Sequence, residues 1–305
     1  MADGAKKKDR GGSQADRVGR LLVIGGAEEK EGDQEILHRF LELAGGKQAR
    51  IVVCSSPSEE AEEAADRYRE VFEKLGVAEV TGAPINERNE ADVPELLEAV
   101  DRATGVFFTG GDQLRLTALI AGTHFSEAIR HRLFHDGLIV AGTSAGAAAM
   151  SGVMLIGGTS EGSVRRADVS LAPGLGLWRD TVVDTHFNQR GRVNRLMTVF
   201  AHNPQVLGIG IDENTAVEVE LGVRFTVLGE NAVMVFNGHV THSSAPRAAD
   251  EDVLALTDAL VHVLPKGYGF NLQTHRPLLR DGSEVAVPTA STSGGSRTAE
   301  LGTGD

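Results

Sequence analysis

The stretch LIVAGTSAGAAAM, residues 138–150, decides how this chain is read. It opens as an apolar run suited to a buried strand and then gives way to Gly142-Thr143-Ser144-Ala145-Gly146, a serine set among small residues. A serine held between glycines on a sharp strand-to-helix turn is lifted off the end of a sheet, with its hydroxyl exposed and a helix N-terminus beneath it. The glycines permit the strained turn and the close approach of strand and helix, and the Ala145 N–H then points to where an oxyanion would develop. The same residues also suit a structural tight turn or a phosphate-binding turn, so the motif alone leaves that choice open.

Around this stretch the chain alternates between two periods. Residues 20–24 form a short apolar run closed by Gly25-Gly26, and residues 33–43 place Ile36, Leu37, Phe40 and Leu41 on one helical face. The same reading predicts strands over 50–54, 77–81, 105–109 and 138–141, with helices over 58–75, 93–103, 113–121 and 126–135. Strands alternating with helices predict an α/β fold, a mostly parallel central sheet covered by helices on both faces. Beyond Met150 the order is less regular. Strands are expected over 181–184, 206–211, 216–219, 224–228 and 232–236, the last few as an antiparallel extension, with one helix over 192–201. No linker interrupts 20–272, so these residues read as a single domain. A tail, 1–19, precedes it, and an extension, 273–305, follows. From about Val287 that extension is too small and polar to offset its ordering entropy and is expected to be disordered.

Composition excludes several classes of function. The chain has 305 residues, 41% of them hydrophobic, and a formal net charge of −13. That acidity argues against nucleic acid as a partner of the whole chain. Lys6-Lys7-Lys8 reads as a solvated tail. No apolar run is long enough to span a membrane, and the first residues lack the apolar stretch of a secretory signal, so a cytoplasmic protein is expected. The single cysteine, Cys54, has no disulfide partner and reads as a small hydrophobe closing a buried strand.

A serine nucleophile needs a base. His131 and His135 have the i,i+4 spacing of two metal ligands, but Arg132 stands where a zinc-protease helix carries glutamate, so they read as a solvated helix face and no metal is expected. His186 differs from the other histidines: it ends the run VVDTHF, at the carboxyl edge of a sheet where open α/β folds place their sites. The acid that would orient the imidazole has two candidates. Asp184 lies two residues before His186 on the same strand face, and Glu213 follows another buried strand and projects at the same edge. Spacing does not choose between them.

Five ordered motifs bring these residues into a recognisable set: Gly25-Gly-Ala-Glu28, Phe108-Thr-Gly-Gly-Asp-Gln113, Gly142-Thr-Ser-Ala-Gly146, Asp184-Thr-His-Phe-Asn-Gln-Arg-Gly-Arg192 with Arg195, and Gly208-Ile-Gly-Ile-Asp-Glu213. Over about residues 20–272 the chain resembles the cyanophycinases, which belong with dipeptidase E to a family of serine peptidases on a glutamine-amidotransferase-like, flavodoxin-like three-layer sandwich. The resemblance implies Ser144 as nucleophile, His186 as base and Glu213, not Asp184, as the acid. It implies an oxyanion site from Gly111 and Ala145, with Gly110 and Gln113 lining the pocket. Asp184, Arg190, Arg192 and Arg195 match the family's substrate-pocket residues. Thr185 departs from the pattern, since cyanophycinases usually carry glutamine there, and this places the substrate preference in question.

The substrate implied is cyanophycin, a polyaspartate backbone with arginine joined to each side-chain carboxyl, or a related β-aspartyl peptide. The arginines would grip its carboxylates as planar donors, and Asp184 would meet its guanidinium groups. The product implied is β-Asp-Arg, released through an acyl-enzyme by a homodimer needing no metal or organic cofactor. Two alternatives accompany this reading: an aspartyl dipeptidase of the dipeptidase E type, and a noncatalytic binding protein on the same scaffold.

Overall fold

The computed structural model describes residues 18–158, 163–167, 169–238 and 240–286. The expected tail over 1–17 and the expected disorder from 287 onward lie outside the described residues. In chain order the first half contains β1 (Arg20–Ile24), α1 (Glu35–Leu43), β2 (Arg50–Cys54), α2 (Ala61–Lys74), β3 (Glu79–Ala83), α3 (Pro94–Arg102), β4 (Gly105–Phe108), α4 (Gln113–Ile120), α5 (His124–His135), β5 (Ile139–Thr143) and α6 (Ala145–Ala149). The second half contains β6 (Val153–Gly158), β7 (Val169–Pro173), β8 (Thr181–Thr185), α7 (Val193–His202), β9 (Leu207–Ile211), β10 (Thr215–Glu220), β11 (Arg224–Gly229) and β12 (Ala232–Asn237). Five short strands complete it: β13 (His242–Ser243), β14 (Leu256–Thr257), β15 (Leu260–Pro265), β16 (Gly269–Asn271) and β17 (Arg276–Leu278).

The central sheet has nine strands in the order β17-β16-β11-β10-β1-β5-β4-β2-β3. Five of them, β1, β5, β4, β2 and β3, run parallel, and the rest join antiparallel beyond β1. Side-chain alternation explains why both faces are covered. Leu21 and Val23 of β1, Val52 of β2 and Val106 of β4 enter one core with α3, α4 and α5. Leu22, Ile24, Ile51, Val53 and Phe107 enter a second core with α1 and α2. There, Phe40, Tyr68, Phe72 and Phe107 pack as one aromatic group, the Tyr68 and Phe107 ring centroids 4.7 Å apart. Burying each such ring contributes about 1.5–3 kcal/mol relative to leaving it exposed.

The second half departs from the sequence reading in three ways. First, β8, β9, β12 and β15 form a separate four-stranded sheet, ordered β15-β12-β9-β8, so the antiparallel extension of the central sheet takes β10 and β11 but not β12. Val183, Ile209 and Val235 bury one face of this sheet against the larger core, while Val182 and Phe236 bury the other against Leu196 and Val199 of α7. A near-continuous apolar run shows that a strand is buried on both faces; it does not name its neighbours. Second, β6 and β7 form a hairpin that the irregular composition of that region concealed. Third, the domain does not stop at residue 272: β17 pairs with β16, so residues 276–278 extend the central sheet.

The turn at Ser144 is closely packed against the sheet. A Cβ on Gly146 would lie 2.4 Å from the Phe108 carbonyl oxygen, and one on Gly142 would lie 2.7 Å from the Gly146 backbone. Strand β4, strand β5 and α6 touch through these two missing side chains. Gly146→Ala is therefore expected to lower unfolding free energy by about 1–3 kcal/mol through overpacking. Gly152→Ala, whose added carbon meets nothing nearer than 3.8 Å, should stay within about 0.5 kcal/mol of the parent. Urea denaturation of both variants measures the difference, and equal stability of the two would contradict the packing account.

Candidate active site

Ser144 follows β5 directly with φ 50° and ψ −111°, a backbone conformation an L residue rarely adopts. Such a residue costs on the order of 1–3 kcal/mol and persists only where its surroundings hold it. Here the Ser144 N–H donates to the Ile24 carbonyl (3.0 Å), which ties the turn to the end of β1, and the Gly146 N–H donates to Thr109 (3.1 Å). Ala145 opens α6, so its N–H belongs to the first-turn donors that have no acceptor inside a helix. Gly110 lies beside the serine: a Cβ there would stand 3.5 Å from the Ser144 Cβ. Gly111 has φ 140° with its Cα against Pro57, where a Cβ would lie 2.2 Å from the carbonyl oxygen.

His186 begins where β8 ends, and Glu213 lies two residues beyond β9. The edge that presents them is therefore that of the four-stranded sheet, not of the central sheet that carries Ser144. Because β8 and β9 are parallel neighbours with Thr185 opposite Ile211, the imidazole and carboxylate emerge side by side. The Glu213 Oε1 lies 2.6 Å from His186 Nδ1, and His186 Nε2 lies 2.8 Å from the Ser144 hydroxyl. A carboxylate can only accept, so Nδ1 carries the proton and Nε2 accepts from Ser144 O–H. This is the connectivity of a serine hydrolase triad in its resting tautomer.

The loop after β1 joins the two sheets here. Gly25 accepts the His186 N–H (2.8 Å), Gly26 accepts the Asn214 N–H (2.9 Å), and the imidazole lies against Gly26, where a Cβ would stand 2.3 Å from its Cε1. Asp212, which sequence reasoning missed, is buried between β9 and Glu213. Its carboxylate accepts from the Asn188 N–H and side-chain amide, both at 2.9 Å, and so holds the turn that follows the histidine. The Gln189 side chain accepts the Glu213 N–H (3.1 Å). The signal for Asp212 was its place immediately after a wholly apolar strand, where an acid is either solvated or bound.

Asp184 has another occupation. It is 1% exposed, and both of its oxygens are taken by the Arg195 guanidinium, itself 8% exposed, with Nε at 2.6 Å. Arg192 adds a longer contact to Asp184 (3.4 Å) and donates to the Thr185 carbonyl (2.6 Å); burial pulls its guanidinium down to about 10. Asp184 and Arg195, expected to face the substrate, satisfy each other in the structure, because neither charge tolerates burial unpaired. Thr185 is buried as well, whereas Arg190 is exposed. Gln113 opens α4, which Asp112 caps, and donates to the Leu155 carbonyl at 2.7 Å.

Among the described residues, no three His, Cys, Asp or Glu side chains form a metal-holding group. Cys54 is fully buried, and burial pushes its thiol up to about 11. The rings of His131 and His135 lie 4.8 Å apart, tilted by 51°, and line a groove of about 1230 Å³ with Trp178 and Arg179. That groove reaches Thr181 and Leu207, the first residues of β8 and β9, so it opens at the far end of these strands from His186 and Glu213.

An elbow serine, an imidazole and a carboxylate in hydrogen-bonded series on an α/β scaffold define a hydrolase of the serine type, and the chain belongs to peptidase family S51, whose model matches residues 21–225. Its curated relatives include cyanophycinases. That of Geminocystis herdmanii is 39% identical over 259 residues, covering 85% of this chain and 95% of the relative. That of Trichormus variabilis is 38% identical over 253 residues, covering 83% and 85%. A crystal structure of a peptidase from an acI-B1 Actinobacterium shares the fold, with a TM-score of 0.59 and 21% identity over 82% of this chain and 99% of that one.

The Asp184–Arg195 pair makes a stability prediction. Arg195→Met should lower unfolding free energy by about 3 kcal/mol or more, because it strands a buried carboxylate. The double variant Asp184→Asn/Arg195→Met should recover part of that loss. Chemical denaturation decides the point: an Arg195→Met variant as stable as the parent would mean that the pair is not the buried anchor described here.

Proposed function

We propose that this peptidase is a cyanophycinase, hydrolysing cyanophycin to β-Asp-Arg through an acyl-enzyme on Ser144. The observation that carries the proposal is the Ser144–His186–Glu213 series in a chain 39% identical to a cyanophycinase over most of both sequences. In this reading His186 Nε2 takes the serine proton as Oγ attacks the backbone carbonyl of the polymer, and Glu213 stabilises the imidazolium that forms. The Ala145 N–H and the Gly110-Gly111 segment receive the oxyanion. The imidazolium then protonates the leaving amine, and water repeats the cycle to release the dipeptide. The exposed Arg190, with Gln113, lines the approach of the polymer. Arg192 reaches the site from beside Thr185, and Asp184 with Arg195 holds that wall in place. The homodimer and the cytoplasmic location implied by the family belong to the same proposal.

Ser144→Ala should fold normally and lose turnover by about 10⁴–10⁶. Glu213→Gln should lose about 10³–10⁴ in kcat with KM little changed, as expected of a group that orients and stabilises the imidazolium. Both are read by mass-spectrometric assay of β-Asp-Arg released from purified cyanophycin, run beside a panel of α-aspartyl dipeptides. Wild-type protein that cleaves the dipeptides and leaves the polymer intact would overturn the substrate assignment. A Ser144→Ala variant keeping a tenth of the activity would overturn the nucleophile.

A further inference from the structure

Glu28 is an acid for which the triad has no use. Its side chain is buried beneath the nucleophile turn, where a carboxylate is costly unless several donors meet it. Three donors do. Thr143, the last residue of β5, donates its hydroxyl to Oε2 at 2.5 Å; the Tyr68 hydroxyl of α2 donates to Oε1; and the Lys30 ammonium lies 2.8 Å from Oε1. Tyr68 and Thr143 are themselves buried, and burial beside this carboxylate holds the Tyr68 phenol neutral well above its ordinary range.

The position of this group matters more than its charge. Thr143 is the residue whose C-terminal peptide enters the left-handed turn at Ser144, and a β-branched side chain with its hydroxyl fixed has little freedom left at χ1. Glu28 belongs to the loop whose Gly25 and Gly26 seat the histidine, and whose next residue, Glu29, donates its N–H to the Asn214 side chain at 3.0 Å. The same short loop therefore touches the strand before the serine, the histidine, and the residue after the acid. Ala27, between Gly26 and Glu28, has φ 48°, so the loop passes through a conformation that needs external anchoring.

We infer that Glu28 is a positioning residue: through Thr143 it fixes the nucleophile turn relative to the loop that seats His186, and so sets the Ser144–His186 distance on which proton transfer depends. The inference rests on the reading of Ser144 as nucleophile but not on the identity of the substrate. It predicts a specific pattern. Thr143→Val keeps shape and removes the hydroxyl, and should lower kcat about tenfold or more while KM moves less than twofold. Thr143→Ser keeps the hydroxyl and should restore most of the rate. Glu28→Gln should resemble Thr143→Val. Because both act through one contact, the double variant should lose no more than the worse single variant.

The test uses full-length protein and two readouts. One is the rate at which a fluorophosphonate labels Ser144, which requires no polymer. The other is kcat and KM on cyanophycin, per labelled site. Tyr68→Phe, which removes a different donor to Glu28 and keeps the ring packing, serves as a second variant should Glu28→Gln fold poorly, and should slow labelling by a smaller factor. Wild-type labelling rates in both Thr143→Val and Tyr68→Phe would overturn the inference. So would losses that multiply in the double variant, or variants whose melting temperature falls while labelling per folded molecule is unchanged. Wild-type protein that labels at Ser144 but leaves cyanophycin intact would instead count against the proposed function, and the labelling comparison would still decide the role of Glu28.

Discussion

The contact between Gly26 and the His186 imidazole is the constraint on which the site depends. A Cβ at residue 26 would stand 2.3 Å from the ring, so the histidine can occupy its place only over a glycine. The neighbouring Gly25 carbonyl accepts the His186 N–H, and this pair of contacts is where the four-stranded sheet meets the end of the central one. Ser144 belongs to one sheet and His186 and Glu213 to the second, so any change that parts the sheets at this loop separates the serine from the imidazole.

Ser144 and His186 both have positive φ, 50° and 48°. Strained backbone of this kind is stable only when rigid surroundings over-determine it. Each has its own set of restraints. Around Ser144 these are the Ile24 carbonyl, the glycine-mediated packing of β4, β5 and α6, and the buried Glu28 group. Around His186 they are the Gly25 carbonyl, the Asp212–Asn188 contacts, and Phe187, whose ring lies against Gly210 with no room for a side chain there. The buried Asp184–Arg195 pair stands one strand residue away from Thr185 and braces β8 against α7. Of the neighbouring cations, Arg190 is exposed and Arg192 half-buried.

Much of this was legible in residues whose environment is set by near neighbours. The continuous apolar run Leu21-Leu22-Val23-Ile24 foretold a buried strand, and Gly142-Thr143-Ser144-Ala145-Gly146 foretold a turn too crowded for side chains. His186 stood out because it ends a strand at the carboxyl edge of a sheet, where open α/β folds place their sites. What resisted reading depends on which distant elements meet. Asp184 lies near the end of β8 and Glu213 just beyond β9, and only the pairing of these strands, together with the return of α7, turns Glu213 towards the imidazole and Asp184 towards Arg195. The separate four-stranded sheet was hidden for the same reason: β12 reads like any buried strand, and its partners β9 and β15 lie more than 20 residues away in the chain.

The central claim is that one serine, served by a histidine and a glutamate from a second sheet, performs the hydrolysis. Its most direct test is to titrate the protein with a fluorophosphonate, map the adduct by peptide mass spectrometry and measure the cyanophycin hydrolysis that remains. The account predicts one adduct per chain, on Ser144, with activity falling in proportion to its occupancy. Hydrolysis that persists in fully labelled protein, or activity lost through an adduct at any other residue, would contradict it.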